Sequence, residues 1–75
     1  MSKPLSAKIV TKILCREFGF YFVSQKGSHM KFEKMVHGKK VVTVVPNHKE
    51  LSQGTLKGIL DLARIKEEDF REMLK

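Results

Sequence analysis

The chain has 75 residues and a formal net charge of +7, with 41% apolar and 31% charged residues. That length allows one small domain, burying about 60% of the surface its unfolded form exposes, and the composition is globular rather than disordered or membranous. Its longest apolar stretches, around residues 20–23 and 41–45, fall far short of the ~18 residues of a membrane span; residues 1–15 carry no run of signal-peptide type; and a lone cysteine, Cys15, excludes an intrachain disulfide or a four-cysteine zinc site.

Ser6 is the N-cap expected for a first helix over 7–18, with Gly19 as its left-handed stop. Ile9, Val10, Ile13, Leu14 and Phe18 fall on one broad face at helical spacing. Lys8, Lys12 and Arg16 recur every four residues on the opposite side, as a solvated face or a phosphate-contacting ridge. Residues 20–25 are aromatic and β-branched and predict a strand. Lys26-Gly27-Ser28 is turn chemistry. Residues 29–34 alternate, so Met30 and Phe32 point one way and His29, Lys31 and Glu33 the other.

His37-Gly38-Lys39 predicts a second turn, residues 41–45 a third strand ended by Pro46, and residues 47–53 a loop. A second helix over 54–64 would bury Leu56, Ile59, Leu60 and Ala63, with Leu62 at the margin. Gly58 inside it costs about 1 kcal/mol relative to alanine, which predicts close packing or a partner at that point. Residues 66–74 predict a short third helix, with Glu67, Glu68 and Asp69 at its positive end and Phe70, Met73 and Leu74 docking it. The expected fold is a single α+β domain over 1–75, in α-β-β-β-α order. Its three-stranded antiparallel sheet carries both main helices on one face, with a short C-terminal helix. That arrangement resembles the double-stranded-RNA-binding fold.

Charge is unevenly spread. Residues 1–49 hold ten Lys/Arg against Glu17 and Glu33, giving +8, while residues 50–75 hold five against six acids, giving −1. A one-sided basic field favours a polyanion such as nucleic acid. The candidates for proton transfer are His29, His37 and His48, since imidazole titrates at about 6.5. His37 reads as a solvated turn residue and His48 as a loop residue. His29 opens a strand directly after a glycine turn and shares a face with Lys31. The Gly27 and Ser28 backbone N–H groups, the Ser28 hydroxyl, the Lys31 ammonium and the His29 imidazole together are enough to hold a phosphodiester and move a proton. Histidines eight and eleven residues apart make no recognisable metal centre, no phosphate or dinucleotide loop is present, and Cys15 reads as an ordinary mid-helix side chain. No cofactor is expected.

Gln25-Lys26-Gly27-Ser28-His29 resembles the HicA toxins of bacterial and archaeal toxin–antitoxin systems. The similarity continues through Val44-Val45-Pro46-Asn47-His48, Glu50-Leu51, Gly54-Thr55-Leu56 and Ile59-Leu60, and covers about residues 5–74. The resemblance implies an mRNA interferase that cuts single-stranded message and arrests growth, while the lone Cys15 fits a reducing, cytoplasmic setting. It also implies one principal catalytic histidine, at His29, and neutralisation by a HicB-type antitoxin. Met30 and Lys66 depart from the family pattern, which bears on substrate contacts and on the cap of the last helix respectively. Lys31, Gly27, Ser28, Lys8, Lys12, Arg16 and His48 are the expected RNA-binding set. Two other readings fit the same charge: a non-catalytic RNA-binding module, which RNA cleavage would exclude, and a protein-interaction domain, which RNA affinity would exclude.

Overall fold

Ser6 adopts extended backbone and its hydroxyl accepts from the Ile9 N–H at 3.2 Å, starting α1 (Ala7–Glu17). The computed structural model describes residues 4–74. Gly19, with φ of 75°, turns the chain out of α1 and into β1 (Tyr21–Lys26), which is followed by β2 (His29–Val36) and β3 (Lys39–Pro46). The sheet order is β1-β2-β3, antiparallel throughout, so β2 is the central strand. Then come α2 (Gln53–Ala63) and α3 (Glu67–Glu72).

Both main helices cover one face of the sheet, as expected. Val10 and Leu14 of α1, Leu56, Leu60 and Ala63 of α2, and Phe32 and Val45 of the sheet share one buried cluster. Thr43, fully buried among them, donates from Oγ1 to the Ile59 carbonyl at 2.8 Å and so fixes α2 against β3. Lys34 points to the same side. Its ammonium donates to the Phe18 carbonyl at 3.1 Å and lies 4.9 Å from the Phe20 ring centroid, tying β2 to the α1–β1 link.

Five expectations are corrected. The β2–β3 hairpin is tighter than the turn predicted at 37–39: His37 and Gly38 both take positive φ (51° and 77°), the sign pattern of a two-residue type I′ turn, so the strands run on to Val36 and restart at Lys39. The second helix begins at Gln53, one residue inside the expected loop, because Ser52 caps it by accepting from the Thr55 N–H. Ile9 is 44% exposed, at the edge of the α1 stripe rather than in it. α3 has only six residues and buries Phe70 alone, stacked on Phe18 at 6.4 Å; Met73 caps it, Leu74 lies beyond it, and both stay exposed. A Cβ built on Gly58 meets nothing within 4 Å, so close packing inside the chain is not the reason for a glycine there.

Candidate functional site

Alternation along β2 puts His29, Lys31 and Glu33 on the sheet face that the helices leave open. The strand register fills in their neighbours. His29 lies between Lys26 and Pro46, Lys31 between Ser24 and Val44, and Glu33 between Tyr21 and Val42. His29 is exposed, and its imidazole has no hydrogen-bond partner among the described residues. Lys31 stands two residues away on the same face, about 7 Å along the strand.

The turn that delivers His29 is held from both sides. Gly27 takes φ of 60°, which a side chain would resist. The Gln25 amide donates to the Gly27 carbonyl at 2.9 Å. Just past β3, the Asn47 N–H donates to the Ser28 carbonyl, and the His48 carbonyl in turn accepts from the Ala7 N–H at 2.9 Å. The Gly27-Ser28 turn, the 46–48 segment and the start of α1 are therefore one hydrogen-bonded corner. Gly27 and Ser28 are exposed on it.

A hollow of about 490 Å³ opens at the outer edge of β3 beside His29, floored by Val44 and Pro46 and walled by Thr55, Gly58 and Leu62 of α2. It is a shallow, open depression whose lining is mainly apolar, with the Asp61 side chain at its wall. His48 lines a different hollow with Ser6, Lys8 and Lys49. The structure thus joins His29 to Lys31, Gly27 and Ser28, and groups His48 with Lys8 instead. Lys12 and Arg16 continue along the outside of α1, in the helix layer, away from the open face.

Glu33 was legible only as a strand residue on the His29 face. In the folded chain it is 6% exposed, with its carboxylate 3.5 Å from the Lys31 ammonium and 3.8 Å from that of Lys40. Tyr21, Lys26 and Lys40 also join this face, a placement that needs the pairing of three strands. Partial burial pushes the Cys15 thiol above its ordinary range, the opposite of an activated nucleophile. Among the described residues no three His, Cys, Asp or Glu side chains stand together to hold a metal ion, and no helix is long and apolar enough to cross a membrane.

The model of the family described as the HicA toxin of bacterial toxin–antitoxin systems matches residues 7–65, from the first residue of α1 past the end of α2. The chain belongs to the HicA toxin family. As a HicA toxin it is one half of a toxin–antitoxin pair, so an antitoxin partner follows from membership. The match takes in the whole sheet, the glycine turn and His29, and stops before α3. A comparison with individually curated proteins gives no match.

Proposed function

We propose that this toxin is an endoribonuclease that cuts messenger RNA with His29 as its general acid/base. The observation that supports it most is the placement of His29: an exposed imidazole on an open, lysine-bearing sheet face, held by a braced glycine turn, in a chain of a toxin family. RNA brings its own nucleophile. The 2′-oxygen attacks the adjacent phosphorus, its proton passes to the neutral imidazole, and a 2′,3′-cyclic phosphate forms as the bond to the 5′-oxygen of the next nucleotide breaks. That oxygen takes up a proton and leaves as a 5′-hydroxyl. Water supplies that proton, since His48 sits in a separate hollow, and the hydroxide left behind takes back the proton that His29 holds, which restores the neutral imidazole.

Lys31 and the Gly27 and Ser28 N–H groups steady the charge on the five-coordinate phosphorus. Such positioned donors, together with orientation of the strand, carry most of the rate enhancement, while a single histidine contributes about 10²–10⁴-fold. The β3-edge hollow receives a base beside the scissile bond. Lys8, and His48 on its corner, add attraction for a strand that continues past the turn, while Lys12 and Arg16, outside α1 and away from the open face, contribute only to the long-range positive field. A HicB-type antitoxin neutralises the toxin by covering the face around His29 and Lys31, where acidic side chains would mimic phosphates.

The test is induced expression of wild type beside His29→Ala. The variant should remain folded, lose RNA cleavage by about 10²–10⁴-fold and no longer arrest growth, whereas His48→Ala should lose only a fewfold in binding. Undiminished toxicity of a folded, well-expressed His29→Ala protein would sink the assignment.

A further inference from the structure

The open face of the sheet bears more chemistry than cleavage at His29 requires. Lys26, Lys31 and Lys40 project from it, and its one carboxylate among the described residues, Glu33, is sunk beneath two of them. The lysine heads stay in solvent, at 46% and 59% side-chain exposure for Lys31 and Lys40. Glu33 therefore fixes where these ammoniums stand without presenting an acid to an incoming chain. Beside it Tyr21 keeps half its surface in solvent. A flat ring among fixed cations is the combination that holds unpaired bases and their phosphates together.

Tyr21 pairs with Glu33, four residues along β2 from His29 and one strand over. At about 3.3 Å per residue and 4.8 Å between strands, ring and imidazole are about 14 Å apart, with Lys31 between them. We propose that the open sheet face is a single-stranded RNA track: a base stacks on Tyr21, Lys40 and Lys26 hold phosphates at its two ends, and the strand passes Lys31 to reach His29. This rests on the reading of His29 as the cleavage site and adds the direction from which substrate arrives. Among the described residues the face has three exposed ammoniums and no exposed carboxylate, and only an unpaired strand offers both phosphates and bare base faces.

Binding is measured by fluorescence polarisation with a labelled single-stranded RNA of about ten nucleotides, in a His29→Ala background so that the probe stays intact. Tyr21→Ala should weaken binding by about tenfold, and Tyr21→Phe should not. The double variant Lys26→Gln/Lys40→Gln, which leaves Lys31 to partner Glu33, should flatten the log–log salt slope by about 1.4. The charge-matched Lys12→Gln/Arg16→Gln variant on α1 should flatten it far less. Thermal unfolding verifies each fold, and the tyrosine pair carries the test if the lysine variant fails to fold. Unchanged affinity in the face variants, or an equal effect from the α1 variant, would overturn the track. So would unchanged RNA affinity if the same face substitutions, made in the chain that keeps His29, escape antitoxin inhibition in cells, which would give the face to the protein partner. Cleavage by wild type, and its loss in His29→Ala, is scored separately, so failure of the track is distinct from failure of the nuclease reading.

Discussion

Gly58→Ala separates what the fold wants from what the substrate wants. The position lies inside α2 at right-handed helical backbone, and a Cβ there meets nothing within 4 Å. Replacing glycine by alanine in a helix interior is worth about 1 kcal/mol when no atom obstructs the new methyl. In a domain of this size that raises Tm by about 4–8 °C. The same methyl projects at the hollow beside His29, where it takes room from the base that the nuclease reading puts there. Cleavage should fall by about tenfold, the cost of about 1.4 kcal/mol of lost packing, and Gly58→Leu should deepen the loss without unfolding the helix. The assay is paired: thermal unfolding by circular dichroism and cleavage of a labelled RNA. A variant that gains stability and cuts at full rate would show that the hollow holds no part of the substrate. One that loses stability would refute the helix-energetic argument itself.

Cleavage should continue in excess chelator and leave 2′,3′-cyclic phosphate and 5′-hydroxyl ends, read by end-labelling; loss of activity restored by a divalent ion would point to another mechanism. Thr43→Val removes the buried hydrogen bond to the Ile59 carbonyl at nearly constant shape, and should cost about 1 kcal/mol in denaturant unfolding. Cys15 keeps its proton to higher pH in the folded chain than in the unfolded one, so its ionisation works against folding as pH rises. At about pH 8 iodoacetamide should therefore modify the native protein more slowly than the denatured one, and Cys15→Ser should cut RNA normally.

The order of elements was legible because each carries its own local signal: Ser6 before an apolar stripe, glycines at left-handed turns, alternation through residues 29–34. Boundaries set by a single turn were not. Nothing short-range says that His37 will accept φ of 51° and let both strands extend. On the functional side, His29, Gly27, Ser28 and Lys31 are contiguous, so one strand's alternation brings them together. Tyr21, Glu33 and Lys40 come from three strands, and a one-residue change of register would send them to the opposite face. The shift between Phe22 and Ser24 in β1 is such a step, and no sequence pattern marks it. The burial of Glu33 was equally hidden, since it depends on two lysines reaching it from β2 and β3.

β2 is hydrogen-bonded on both sides, and His29, at its first position, is paired with Lys26 and with Pro46. The amides of such a strand exchange with solvent mainly when the whole domain opens, unlike those of a loop that frays by itself. The geometry of this residue is thus tied to the pairing of the central strand rather than to a loop that loosens by itself. Heating should leave the turnover of surviving molecules intact until the melting transition and then abolish it with the fold. A cell would hold either a fully shaped toxin or an unfolded chain open to proteolysis, and small losses of stability would change how much toxin there is rather than how well each molecule works.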